Sequence, residues 1–190
     1  MKTPTFLFVS VLTLCTLTFT ACQSGGSGGD SSDAEEKQTE ETASENANQG
    51  ELEGLVPLDL KPYDLPFTLL IPDSTTGVPK VVNQSWGSTE IQVGKKYQLE
   101  IALGGDLNLL KSDLKNDDMY THEVLEETPT SIVYRSVIAG SGLKPEHHFY
   151  SVVTINGEQY EVKDMKSGGP YGERSARRMM EAANQMGAGS

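Results

Sequence analysis

Three histidines are the residues in this chain best suited to acid–base or metal chemistry: His122, His147 and His148. Adjacent residues on a β-strand point to opposite faces, so His147 and His148 are not expected to bind one metal ion together. A metal site would need His122, with an acidic neighbour, to converge with them from another strand. The spacing matches neither HExxH nor a cluster of cysteine and histidine ligands. We therefore expect no metal site and no cofactor.

The sequence contains no recognisable motif for nucleophilic catalysis. A G-x-S-x-G turn is absent, and both cysteines, Cys15 and Cys22, lie near the N-terminus. Glu126 and Glu127 are neighbours on a predicted strand, so their side chains point to opposite faces and cannot act as a paired acid and base on one substrate. We predict no catalytic residue. A hydrolase with an unrecognised site around the histidines remains the alternative.

A cluster of basic side chains is the best candidate for a binding surface. Arg174, Arg177 and Arg178 are three of the four arginines in the chain, and they lie within a turn and a half of the last predicted helix. The glycine-rich segment 168–172, with Tyr171 at its centre, precedes that helix and could form a recognition loop beside it. The alternative is a solvated helix face on which Arg177 pairs with Glu181 at i,i+4 spacing.

The N-terminal segment has the organisation of an export signal. Lys2 precedes an apolar run from Phe6 to Phe19, which is shorter than the roughly 20 residues that a membrane-spanning helix needs. Residues 19–22, Phe-Thr-Ala-Cys, resemble the bacterial lipobox, although that motif favours leucine where this chain has Phe19. The resemblance implies that residues 1–21 are removed and that Cys22 carries fatty acyl chains such as palmitate. An ordinary cleaved signal is the alternative.

The two cysteines and the residues after Cys22 extend this interpretation. Cys15 would leave with the signal peptide and Cys22 would carry the lipid, so the mature chain would have no free thiol and no disulfide. A single unpaired cysteine at the new N-terminus of an exported chain is otherwise hard to account for. By the same resemblance, Gln23 favours the outer membrane, because an aspartate there retains lipoproteins at the inner membrane of enteric bacteria. We predict a lipid-anchored protein of the cell envelope, with the leaflet left open.

A polar, acidic segment separates the predicted lipid anchor from the rest of the chain. Residues 23–54 contain nine acidic residues and one lysine, for a net charge of -8, and they are rich in glycine and serine near Cys22. Such a composition cannot bury enough apolar surface to offset the entropy of ordering, so we predict a disordered tether over residues 22–54. A chain of this length spans roughly 30 Å root-mean-square.

The overall charge argues against two classes of partner. The 190 residues carry a formal net charge of -12, which argues against binding to nucleic acid and against adsorption to anionic lipid. Because the tether holds most of the excess acid, residues 55–190 have a net charge of only -5.

Residues 55–190 are predicted to form one globular domain of the α+β class. Residues 97–103 alternate apolar and polar side chains, and Asn156-Gly157 favours a type I′ hairpin turn. Asp106 is a predicted N-cap for a helix over residues 107–116. A second helix, over residues 173–186, would bury Ala176, Met179, Met180 and Ala183 and leave Glu181 outside. Predicted strands cover residues 67–71, 81–82, 89–93, 97–103, 122–127, 131–138, 149–155 and 158–165. We expect an antiparallel sheet of about six to eight strands with two helices packed on it.

The order of these elements resembles the PsbP-like fold. The resemblance rests on Phe67-Thr68-Leu69-Leu70-Ile71-Pro72, on Trp86 near a turn as an aromatic anchor, on the long meander and on the closing helix. It implies an α/β/α sandwich over about residues 65–186, in a family of mostly non-catalytic accessory and binding proteins, and it supplies no catalytic residues. A generic α+β lipoprotein domain is the alternative.

Together these features predict a membrane-anchored envelope lipoprotein. We expect it to be a non-catalytic binding or accessory module that acts on a protein partner in the envelope, with Tyr171, Arg174, Arg177 and Arg178 as the candidate surface. Two alternatives stay open: an envelope hydrolase, which would need a concave pocket with at least two titratable groups, and a small-ligand carrier, which would need a large apolar pocket.

Overall fold

The structure, a computed structural model, describes residues 52–188. The predicted signal peptide, Cys22 and the predicted tether as far as residue 51 lie outside the described residues. The described elements, in chain order, are β1 (Leu55–Asp59), a 3₁₀ turn (Lys61–Tyr63), β2 (Phe67–Pro72), β3 (Lys80–Asn83), β4 (Ser88–Val93), β5 (Tyr97–Leu103), α1 (Leu107–Lys115), β6 (Thr121–Glu127), β7 (Ser131–Val137), β8 (Glu146–Ile155), β9 (Glu158–Asp164), α2 (Glu173–Asn184) and β10 (Gly187–Ala188).

The strands form two antiparallel sheets, and the predicted α+β class is confirmed. The large sheet has seven strands in the order β3-β4-β5-β9-β8-β7-β6, and the small sheet has the order β1-β2-β10. Most of the predicted elements are present with shifts of a few residues at their ends, whereas β1 and β10 were not anticipated. The likeness to the PsbP-like fold stays a prediction. Within residues 52–188, no helix is both long and apolar enough to span a bilayer.

The hydrophobic core joins α2, the small sheet and one face of the large sheet. Ala176, Met179, Met180 and Ala183 are buried, which confirms the predicted stripe of α2. Phe67 of β2 packs edge-on against Tyr160 of β9, with ring centroids 4.9 Å apart. One expectation for α2 was wrong: Glu181 is 8% exposed and therefore does not lie on the outer face.

Two turns show how local sequence shapes the sheet. Asn156 and Gly157 have φ values of 54° and 87°, the positive angles that a type I′ turn between β8 and β9 requires. Trp86 lies in the turn between β3 and β4, where the Gly87 N–H donates to the Gln84 carbonyl. Its side chain is 69% exposed, so the expectation that Trp86 anchors the core was wrong.

A buried tyrosine ties the two sheets together. Leu70 of β2 has Pro57 of β1 as its register partner, and proline has no N–H to donate. The hydroxyl of Tyr97, at the start of β5, donates to the Leu70 carbonyl over 2.5 Å. Desolvation raises the pKa of Tyr97 well above its usual value, so the hydroxyl stays protonated and keeps this donor role.

We predict that Tyr97→Phe lowers the free energy of unfolding by about 1–2 kcal/mol, because it removes the donor to the Leu70 carbonyl inside the domain. Tyr160→Phe is the matched control, since that hydroxyl donates to the exposed carboxylate of Glu158. Removing the Tyr160 hydroxyl should lower the free energy of unfolding by less than removing the Tyr97 hydroxyl. Urea unfolding of the two variants measures the difference. Equal losses of stability in the two variants would contradict a role for the Tyr97 hydroxyl in joining the two sheets.

Candidate functional site

A groove lies between α1 and the face of the large sheet that points away from the core. Val133 and Phe149 are buried in the core, and the alternating positions Tyr134 and His148 line the groove instead. Its volume is about 830 Å³. The walls include aromatic, aliphatic and charged side chains from α1, β6, β7, β8 and β9.

Helix α1 forms the roof of the groove without being packed into it. The predicted N-cap is confirmed, because the Asp106 carboxylate accepts hydrogen bonds from the N–H groups of Asn108 and Leu109, at 2.8 and 3.1 Å. Leu110 and Leu114 line the groove and are only half-buried. No residue of α1 is fully buried, so this helix lacks the packing that usually stabilises an amphipathic helix.

The first end of α1 is fixed by a polar chain and a close backbone approach. The Asp106 N–H donates to the Tyr150 hydroxyl, which in turn donates to the Glu161 carboxylate, each over 3.0 Å. Desolvation raises the pKa of Tyr150 to about 12, so it remains a neutral donor. A Cβ on Gly105 would meet Glu161 Cβ at 3.0 Å and the Tyr150 hydroxyl at 3.1 Å, which makes glycine necessary there.

Charged contacts also hold the middle of α1 and the segment that follows it. Lys111 pairs with Glu127 of β6, with 2.5 Å between Nζ and Oε1. Just after the helix, the Asp117 carboxylate accepts hydrogen bonds from the N–H groups of Tyr120 and Met119 and lies 3.1 Å from His122 Nε2. The two backbone N–H groups, followed by His122, lower the pKa of Asp117, so it remains an ionised acceptor.

Four aromatic rings form a ladder along the floor of the groove. Tyr120 stacks on His122, with ring centroids 6.0 Å apart, and His122 meets Tyr134 edge-on at 5.8 Å. Tyr134 then lies 5.1 Å from His148. Two of the three histidines thus reach one site, as a metal site or hydrolase would have required. Within residues 52–188, however, no group of three or more His, Cys, Asp or Glu side chains could hold a metal ion.

His122 takes part in a hydrogen-bonded chain that resembles a catalytic triad only in composition. Its Nδ1 lies 2.8 Å from Ser136 Oγ, and its Nε2 lies near Asp117. Ser136 is 4% exposed and sits in β7, paired with His122 of β6 and Glu146 of β8. The N–H groups of a central strand are used by the sheet, so they cannot form an oxyanion hole around Ser136. The hydrogen bonds with Ser136 and Asp117 therefore orient the His122 ring and do not activate Ser136 as a nucleophile.

His148 has one ring nitrogen held and the other turned toward an acid. Its Nδ1 lies 2.8 Å from Asp164 Oδ2, and Oδ1 of the same carboxylate accepts the N–H of Phe149 over 2.9 Å. Because a carboxylate oxygen accepts hydrogen bonds, Nδ1 of His148 donates to Asp164. His148 Nε2 lies 3.9 Å from Glu146 Oε2. His147 lies apart from this arrangement, with its Nδ1 3.3 Å from the Tyr171 carbonyl.

The surface predicted for a protein partner is partly engaged within the domain. Tyr171 is buried, and its hydroxyl donates to the Met165 carbonyl over 3.2 Å. Arg177 pairs with Glu173 and Glu126, and Arg178 donates to the Glu53 carbonyl over 2.6 Å. Arg174 is exposed. The three arginines therefore share α2, but Tyr171 does not present its ring beside them, and a partner on this face stays a prediction.

Neither the comparison with protein-family models nor the search of curated proteins finds a match to this chain.

Sequence reasoning found the histidines of the groove but not the residues that organise them. Tyr134, Glu146, Tyr150 and Asp164 belong to no motif. A usable signal was present in the first half of β8, where Phe149 faces the core and the alternating positions hold His148 and Tyr150. A sheet face of that composition indicates a site rather than a second core.

We predict that Gly105→Ala destabilises the domain by about 1–3 kcal/mol, because the new methyl group overlaps Glu161, Tyr150 and Val152 where α1 begins. Gly104→Ala is the control. Gly104 also has a positive φ, of 97°, but its Cβ would meet nothing within 4 Å. Thermal unfolding should show a larger loss for Gly105→Ala, and equal losses would show that backbone strain alone accounts for the effect.

Proposed function

We propose that this chain is an envelope lipoprotein anchored through acylated Cys22, and that its folded domain is a non-catalytic binding module whose site is the groove beneath α1. The apolar N-terminal run and the lipobox-like residues before Cys22 support the anchor. The geometry beneath α1 supports binding.

The observation that carries the proposal is a roof helix with no buried residue above a groove of about 830 Å³. Small-molecule sites commonly have volumes of 300–1,000 Å³ and bury most of their ligand. A helix held chiefly by polar contacts leaves Leu110 and Leu114 half-covered, and a ligand in the groove would complete their burial. This favours a ligand of small-molecule size over a broad protein surface.

The residues that line the groove favour this proposal over a carrier of apolar molecules and over a hydrolase. A carrier of apolar molecules requires an apolar pocket, whereas this groove places Asp113, Glu146 and Lys166 beside the leucines of α1. A hydrolase requires an activated nucleophile and an oxyanion site, which the paired strand around Ser136 does not provide. The groove therefore favours recognition of a polar ligand with an apolar portion.

The predicted tether fits a binding role. An acidic chain from Gln23 to Gly54 would give the domain a reach of roughly 30 Å from the lipid anchor. Such a reach lets the groove sample molecules near the membrane while the acyl chains prevent diffusion away from it.

The anchor leads to a direct prediction. After growth with an alkyne analogue of palmitate, the wild-type chain should be labelled and should sediment with membranes, whereas Cys22→Ala should be unlabelled and released. Cys15→Ala is the matched control and should behave as wild type, since Cys15 lies within the predicted signal. Label retained in Cys22→Ala would contradict the lipid anchor without affecting the groove.

The groove leads to a second prediction, in which a bulky side chain blocks it. Leu110→Trp places an indole in the groove from the roof helix, while Ser112→Trp alters the same helix at a position outside the lining. A small-molecule filtrate of the source cells should shift the amide NMR signals of β7 and β8 in wild type and in Ser112→Trp. The shifts should be lost in Leu110→Trp. Equal shifts in all three proteins, or none in any, would contradict binding in the groove.

A further inference from the structure

Helix α1 contributes nothing to the hydrophobic core that holds the domain together. Within residues 52–188, the core residues come from both sheets, from α2 and from the segments next to them, and none of them belongs to α1. By contrast, six residues of α2 are buried. Leu110 and Leu114, on the inner face of α1, are half-buried, and Leu109 is 60% exposed. Separation of α1 from the sheet would therefore leave the core intact and would expose little apolar surface that is now covered.

The ion pair that holds the middle of α1 to the sheet is open to solvent. The side chains of Lys111 and Glu127 are 40% and 41% exposed. An ion pair of that exposure contributes little stability, and salt screens it. At the start of the helix, the Asp106 N–H donates to the Tyr150 hydroxyl, and a neutral hydrogen bond of this kind adds only modest stability. The attachment of α1 to the sheet is therefore weak and depends on ionic strength.

Helix α1 is also too short to stay folded away from the sheet. It has nine residues, whereas isolated helices shorter than about 12–15 residues are marginal in water. The segments on either side of it have their own attachments to the large sheet. The Gly104 N–H donates to the Gln159 carbonyl of β9 over 2.8 Å, and Asp117 lies 3.1 Å from His122 Nε2. Loss of its contacts with the sheet should therefore unwind α1 between two fixed points.

We propose that α1 is a gate for the groove: it unfolds locally while both sheets stay folded, and it refolds over a bound ligand, with the Lys111–Glu127 pair as its latch. The inference rests on the groove being the binding site, as proposed above. Unfolding of α1 uncovers the floor of the groove, including Tyr134 and His148. A ligand in the groove contacts the leucines of α1 only when the helix is folded, so binding shifts the population toward the folded helix.

Amide hydrogen exchange, followed by NMR on the full chain, tests the local opening. Because α1 unwinds when it leaves the sheet, exchange of its N–H groups measures the opening directly. The Leu110 N–H, which donates to the Asp106 carbonyl within the helix, should be protected at least about 100-fold less than the N–H groups of Met179 and Met180 in α2. Equal protection in the two helices would overturn the gate, since α1 would then open only when the whole domain unfolds.

Two variants of β6 test the latch without altering the sequence of α1. Glu127→Gln removes the charge that holds Lys111, and it should lower the protection of the α1 amides about two- to fivefold. Glu123→Gln is the matched control and should leave that protection unchanged, because Glu123 lies on the same strand and pairs with Arg135 of β7. Added salt should lower α1 protection in wild type and in the control, with little effect in Glu127→Gln. Equal protection of α1 in the two variants would overturn the latch.

The small-molecule filtrate of the source cells tests the link between the gate and the site. A filtrate that shifts the NMR signals of β7 and β8 should also raise the protection of the α1 amides, at least about threefold, and leave that of α2 unchanged. Signal shifts without added protection of α1 would overturn the gate and leave the groove as the binding site. Absence of signal shifts, with α1 weakly protected, would instead overturn the groove as the binding site and the gating role, while the local opening would stand.

Discussion

The period-two alternation of β7 and β8 is the constraint on which both the core and the groove depend. Their antiparallel register places Val133 opposite Phe149 and Tyr134 opposite His148. The first pair is buried against the core that α2 completes, and the second lines the groove. A slip of one residue would exchange these two faces, so the hydrophobic burial that holds the domain together also keeps the aromatic ladder in the groove.

The two helices contribute to this sheet in different ways. α2 is stabilised by burial of five apolar side chains, and its position is set by the core. α1 is positioned by polar contacts: the Asp106 N–H with the Tyr150 hydroxyl at its start, and Lys111 with Glu127 at its midpoint. Contacts of that kind contribute modest stability in water. The sheet face beneath α1 is therefore fixed by the core, whereas the packing of α1 itself is incomplete.

Local signals in the sequence predicted the elements well, and they could not predict the site. The Asp106 cap, the Asn156-Gly157 turn and the stripe of α2 each follow from residues that are close in sequence. His122 and His148 meet through Tyr134 only because β6, β7 and β8 pair in a particular register, and register depends on contacts across the whole sheet. The same holds for Glu181, whose burial depends on what packs against α2 rather than on the helical pattern.

The distribution of charge connects the groove to the rest of the chain. Residues 55–190 carry a net charge of -5, and the residues lining the groove account for -4 of it. The remaining surface of the domain is therefore close to neutral, so solubility alone does not explain where the acids lie. Keeping like charges together in a concavity is unfavourable unless hydrogen bonds or a bound cation offset the repulsion. Backbone N–H groups, the Tyr150 hydroxyl and Lys163 offset part of this repulsion in the groove.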